Sequence, residues 1–287
     1  MFRFLLLWLL IAGSVAQGEP LRLRVVAANI SSGNHQSYSP DNGNHSNIEG
    51  AGARILTALQ PDIVLIQEFT TTIPVRRWVN ETLGEKFSFY QEDTGRVANA
   101  IPNGVISRFP MVDSGKWDDP EMENREFAWA RIKLPNGKHL WAISVHLYSQ
   151  KSDVREKEAK ALVKYITAKV PPGDFIIVGG DLNTRERGED CVRILEKWVG
   201  ESEAPADAYG NSHTNQPRNK PYDWVLACPP LQALEVPVEL AGKSFEKGLV
   251  FDTRNHPELE KLPPAQPGDS GVFQMQHMAV VKDFLVP

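Results

Sequence analysis

Apolar and polar positions alternate and then merge over Leu21 to Asn29 (LRLRVVAAN), as in a strand that enters a core. Ser31 to Asn47 follows with no periodicity, rich in Gly, Asn, Ser and His, and is long for a connection. Ile55, Leu56 and Leu59 share one side of a helix predicted over Ile48–Leu59, which Pro61 closes. Asp62 to Glu68 (DIVLIQE) reads as a buried strand and Val75–Leu83 as a second helix. Weak strands surround Phe87–Tyr90 and Gly104–Ser107. Phe127–Leu134 and His139–His146 form a predicted hairpin across Pro135-Asn136-Gly137, since Asn-Gly is a strong turn dipeptide. The clearest helical pattern is Ser152–Lys169, with Ser152 as its cap and Val154, Ala161, Leu162, Tyr165 and Ile166 as its apolar stripe. Phe175–Gly180 is a short apolar strand, Glu189–Trp198 a helix, and further strands fall at Tyr222–Ala227, near Leu231–Val238 and at Met278–Val281. Strand runs separated by helices, with hairpins between them, predict mixed sheets with helices outside.

Composition sets the scale of this fold. The chain has 287 residues, 41% hydrophobic and 23% charged, which is globular, and no repeat or linker divides it. We therefore expect a single domain over 21–287. Residues 1–16 stand apart: Arg3, the apolar run Phe4–Ile11 and the small residues Ser14-Val15-Ala16 have the anatomy of a secretory signal peptide. The expected location is secreted or periplasmic, with no membrane anchor. Export would favour joining the two cysteines, Cys191 and Cys228, as a disulfide. The formal net charge is −5, so the chain has no sequence-wide grip on nucleic acid or anionic lipid. Phosphate would have to be held by a local cluster or by bound cations.

The candidate chemistry gathers at strand ends. Asn29 ends VVAAN, Glu68 ends IVLIQE, His146 ends AISVH and Asp181 follows FIIVGG, while Asp223 begins DWVLA and His277 precedes MAVV. Apolar strands bury their bodies, so polar residues at their tips can converge along one sheet edge. Singly, each has a plain structural reading; Asp181-x-Asn183, for example, suits an Asx turn. Together they offer hard oxygen ligands, neutral amides and two imidazoles, the parts that phosphodiester hydrolysis needs.

The order Asn29, Gln67-Glu68, His146, Gly180-Asp181-Leu182-Asn183, Asp223 and His277 resembles the endonuclease/exonuclease/phosphatase superfamily from about Leu21 to the C-terminus. The resemblance implies a four-layer α/β sandwich, two packed mixed β-sheets flanked by helices. It implies Glu68 as principal ligand for Mg²⁺ or Mn²⁺ with Asn29 beside it, Asp181 acting on the attacking water, and Asn183 on a phosphate oxygen. His146 would contact the phosphate, and His277 would be a second catalytic histidine oriented by Asp223. Arg125 matches an arginine that approaches the substrate phosphate, and the spacing of Cys191 and Cys228 is similar to a disulfide of pancreatic-type deoxyribonuclease. One departure stands out: Met275-Gln276-His277 replaces the usual Ser-Asp-His, leaving the Gln276 carbonyl, or Asp269 in the nearby GDSG, to support the metal. Arg218 and Lys220, just before Asp223, are candidates to grip a flanking phosphate. Arg76, Arg77, Arg185 and Arg187 are further basic candidates, and His35, Tyr38 and His45 would overhang the same edge. The implied activity is a secreted, monomeric nuclease acting on DNA or RNA. A phospholipase C or sphingomyelinase-type phosphodiesterase, or a phosphomonoesterase, is the alternative; a catalytically weakened binding protein is the third reading.

Overall fold

The computed structural model describes residues 19–29, 45–95, 97, 99–272 and 275–287. The predicted leader, and His35 and Tyr38, lie outside them. In chain order the elements are β1 (Leu21–Ala28), α1 (His45–Leu59), β2 (Ile63–Ile66), α2 (Val75–Thr82), β3 (Ser88–Gln91), β4 (Gly104–Ser107), β5 (Met111–Trp117), β6 (Phe127–Lys133) and β7 (His139–His146). There follow α3 (Ser152–Lys169), β8 (Phe175–Asp181), α4 (Asp190–Leu195), β9 (Asp223–Ala227), α5 (Pro229–Gln232), β10 (Glu235–Val236), β11 (Val238–Leu240), β12 (Lys243–Phe245), β13 (Leu249–Phe251) and β14 (Ala279–Val286).

Two mixed sheets result. A seven-stranded sheet runs β10-β14-β1-β2-β4-β3 with β13 also on β14, and a five-stranded sheet runs β5-β6-β7-β8-β9. Each has one parallel pair, β1 with β2 and β7 with β8. Strand alternation decides what each face meets. Leu23, Val25, Ala27, Ile63 and Leu65 point to the five-stranded sheet and share a core with Ile143, Val145, Ile177 and Val225. Their neighbours Val26, Ala28, Val64 and Ile66 face outward onto Ile55, Leu56 and Leu59 of α1 and Trp78 and Val79 of α2. Ala159, Leu162 and Ile166 of α3 and Val192 and Leu195 of α4 cover the five-stranded sheet. Helix, sheet, sheet, helix is the four-layer α/β sandwich expected. Among the described residues no helix is long and apolar enough to cross a membrane.

Several local expectations need correction. Lys151, not Ser152, is the N-cap of α3, and no side chain caps it. The buried face of α3 is rotated from the predicted stripe and includes Arg155 and Glu158. Arg155 forms a bidentate pair with Glu189 at 2.6–2.9 Å, which is why a charge can lie inward there. The strand expected near Leu231–Val238 begins as α5, because Pro229 and Pro230 suit the first turn of a helix, and only then becomes β10 and β11. Cys191 and Cys228 are buried free thiols, so the expected disulfide is absent. Each sulfur has a separate contact: Cys228 Sγ accepts from Ile176 N at 3.3 Å, and Cys191 Sγ lies 4.0 Å from a Glu189 oxygen.

Candidate active site

Register carries the polar strand ends to one edge. Because β1 and β2 are parallel, with Ala28 opposite Ile66, Asn29 and Glu68 emerge on the same side. β7 and β8 are also parallel and pair His146 directly with Asp181. β9 runs antiparallel to β8 and sets Asp223 opposite Asp181, and β14 runs antiparallel to β1, so His277 arrives beside Asn29. Gln67 and Ser144 tie the two sheets together here: Gln67 Nε2 donates to Ser144 Oγ (2.8 Å), which donates to Ile66 O (2.9 Å). Gly180 lets this happen, since a Cβ there would lie 2.4 Å from Gln67 Nε2 and 2.3 Å from Val145 O.

The six residues meet in one buried cluster, each 7% exposed or less. His277 Nδ1 and Asp223 Oδ2 are 3.0 Å apart. On the other side of the ring, His277 Nε2 lies 3.5 Å from Asp181 Oδ2, which is also 3.3 Å from His146 Nε2. Asn29 Nδ2 stands 3.3–3.4 Å from Glu68 Oε1, Asp181 Oδ2 and His277 Nε2. Glu68 and Asn183 hold positive φ values of 49° and 53°, which turn the chain sharply after each strand. The Asx contact is present too, with Asn183 N donating to Asp181 Oδ1 at 2.8 Å.

Environment separates the two imidazoles. Burial opposes charge on His277, but the carboxylates of Asp223, Asp181 and Glu68 outweigh it and push the imidazole up to about 9. Burial holds His146 well below the usual histidine value, with the positive charges of Arg125 and His277 acting the same way. Asp181 is pushed up to about 6, and Glu68 to about 7, chiefly by burial. At neutral pH the cluster therefore presents one protonated and one neutral imidazole around a carboxylate, an arrangement suited to separate acid and base tasks.

The remaining candidates are placed differently. Arg125 is buried, and its guanidinium donates to His146 O and Leu147 O, so it braces the chain behind His146. Asn183 Nδ2 likewise donates to Leu147 O (2.9 Å). Arg218 is not free to hold a phosphate: it is paired with Asp207 (2.8 Å) and Asp252 (2.7 Å). Lys220 is half-buried, and its amine has no partner among the described residues. Gln276 is exposed, and its main-chain carbonyl accepts from Gln216 N. Asp269 is committed to Arg54, Arg187 to Glu201 and Arg77 to Glu81. Arg185 donates to Ser149 O and Arg76 to Phe87 O. His45 begins α1. Sequence reasoning missed Ser144 and Thr214; a polar residue within an apolar strand run was the available signal for Ser144, and Thr214 had none.

A hard divalent cation fits this donor set. Asn29 Oδ1 is buried with no hydrogen-bond partner among the described residues, and the oxygens of Glu68 and Asp181 lie against the same amide group. Asp181, Asp223 and His277 also bring ligand atoms within 4.8 Å of one another. Protonation of His277 and its bond to Asp223 make that trio the poorer metal holder, and the Asn29–Glu68 side the better one.

Two mixed sheets with such a constellation at their shared edge define a class of α/β sandwich. The chain belongs to the Endonuclease/Exonuclease/phosphatase family, whose model matches residues 29–244 and whose members are generally hydrolases of phosphoesters. A sequence search of the curated proteins found no match. Among solved structures, an endonuclease/exonuclease/phosphatase from Bacteroides vulgatus is similar in fold, with a TM-score of 0.63 and 16% identity over 93% of this chain and 100% of the other. One from Beutenbergia cavernae DSM 12333 has a TM-score of 0.61 and 17% identity over 92% and 72%. D. rerio TDP2, complexed with single strand DNA product, has a TM-score of 0.61 and 16% identity over 92% and 98%.

Proposed function

We propose that this chain is a secreted, monomeric, Mg²⁺- or Mn²⁺-dependent phosphodiesterase that cleaves nucleic acid, DNA first, by attack of water on phosphate. The observation that carries this reading is a single carboxylate, Asp181, flanked by the imidazoles of His277 and His146 at 3.5 and 3.3 Å, with neighbouring carboxylates favouring the charged form of His277 and burial the neutral form of His146. Asp181 accepts the proton of the attacking water, and His277 donates from Nε2 to oxygen as negative charge develops. Asp223 holds the Nδ1 side of the His277 ring, which fixes its direction. His146, Asn183 and Lys220 serve the phosphate and its flanks. Glu68 and Asn29, with Gln276 as a further candidate ligand, would hold the cation, which when bound offsets charge on the phosphate oxygens. That TDP2, similar in fold, was solved with a single-strand DNA product favours nucleic acid as the first substrate to try.

The test is turnover of plasmid DNA, single-stranded DNA, RNA, sphingomyelin and a phosphomonoester by purified protein with Mg²⁺. Cleavage of nucleic acid supports the reading. Turnover of lipid alone would replace it with a phospholipase C-type activity, and no turnover with no Mg²⁺ binding in calorimetry would leave a binding protein. Glu68→Gln should cut kcat/KM by about 100-fold and weaken Mg²⁺ binding in the same titration. Gln276→Asp should give equal or higher activity at limiting Mg²⁺, because a carboxylate holds a hard cation better than a neutral amide.

A further inference from the structure

Residues 211–221 form a loop that spans the start of β9 and the segment entering β14. Its contacts with the His277–Asp223 pair begin at Thr214: Thr214 Oγ1 accepts from Asp223 N at 2.8 Å, and Thr214 O accepts from Met278 N at 2.7 Å. Asn215 bridges His277 in antiparallel register, and Gln216 N donates to Gln276 O at 2.8 Å. The loop is therefore a splint across two residues that come from different sheets, and any shift of it moves them relative to each other.

Arg218 sits at the turn of this loop with φ 56°. Its Nε donates to His213 O (2.6 Å), Nη2 to Asn211 O (3.0 Å) and Asp207 (2.8 Å), and Nη1 to Asp252 (2.7 Å). Four of its five N–H bonds are thus spent inside the protein. Asp252 lies just beyond β13, the strand that pairs with β14, and also binds Arg254, which donates to Gln216 O at 3.1 Å. Burial works against the charge on Asp252, but hydrogen bonds from Arg254 and Arg218 outweigh it and hold its carboxyl below the usual range. Asp207 Oδ1 accepts from Tyr209 N and Asn211 N, so its charge is compensated as well. Buried ion pairs cost desolvation, and one this fully hydrogen-bonded serves to fix a backbone path.

We propose that Arg218, acting through Asp207 and Asp252, is a positioning residue that holds the loop at Thr214 and Asn215 and thereby sets the His277–Asp223 geometry. The catalytic part of this inference rests on the phosphodiesterase reading above. Misplacing a proton donor by about 1 Å is enough to lose about two orders of magnitude in rate.

Arg218→Gln is expected to lower kcat about 10- to 100-fold with KM changed by less than about twofold. The dependence of kcat/KM on salt should keep its slope, because no phosphate contact is lost. Amide exchange at Asp223 and Met278 should accelerate about tenfold or more under conditions where the protein stays folded. Arg218→Lys should restore part of kcat, and Asp252→Asn, which keeps side-chain shape and leaves the Asp207 pair intact, should show the same signature in weaker form if Arg218→Gln does not fold. A raised KM with unchanged kcat and a shallower salt slope would overturn the proposal in favour of a phosphate-gripping arginine. Unchanged exchange at both amides in every variant would overturn it outright. Exchange needs no turnover, so wild-type protein that hydrolyses no phosphodiester would sink the functional reading, while accelerated exchange in the variants would still support the positioning of the pair.

Discussion

His277→Gln is expected to lower kcat by about 10²- to 10⁴-fold while leaving a cooperative melt. Glutamine keeps a hydrogen-bond donor near Asp223 but removes the only imidazole of the cluster that is charged at neutral pH. A residue that merely filled space would cost stability and leave kcat alone. The accompanying pH–rate profile gives the sign. With Asp181 at about 6 and His277 at about 9, turnover should rise as Asp181 loses its proton and fall as His277 loses its own. Asp223→Asn removes a negative charge from beside the ring, so the imidazole value drops and the alkaline limb moves to lower pH. A His277→Gln enzyme within threefold of wild type, or an alkaline limb unmoved by Asp223→Asn, would take proton donation away from His277.

Gly180→Ala should be strongly destabilising for one added methyl group, at about 3–5 kcal/mol. Two costs add. The backbone there has φ 129°, a region in which an L side chain is strained, and the new Cβ would meet Val145 O, a strand carbonyl with no room to retreat. Its other neighbour is Gln67, whose amide is pinned between the sheets by Ser144. The melting temperature should drop by about 10 °C. A shift of less than about 2 °C would mean that the sheets are not closed against Gly180 as described.

The sequence made the inner strands readable because β2 and β8 are apolar runs and β1 alternates before it turns apolar, and the candidate site readable because each of them leads into a polar residue. β5 was missed for the opposite reason: MVDSGKW is an edge strand, mostly solvent-facing, with an irregular register at Met111 and Asp113. Arg155 and Glu158 broke the expected helix stripe because a charge can be buried once its partner is supplied from elsewhere, here by Glu189. The same blindness affected Arg218. Whether it faces solvent phosphate depends on Asp252, 34 residues away, and no local pattern reveals such a partner. Nor could spacing divide the labour between His146 and His277, since their proton states are set by which carboxylates and cations lie beside them after folding.

β14, the last strand, lies between the first strand and β10, in the interior of the larger sheet. A polypeptide that has not yet reached Ala279 holds β1 against β2 alone, with the other edge of its first strand unpaired and the middle of that sheet missing. Docking of β14 thus also brings His277 to Asn29 and closes the buried polar cluster.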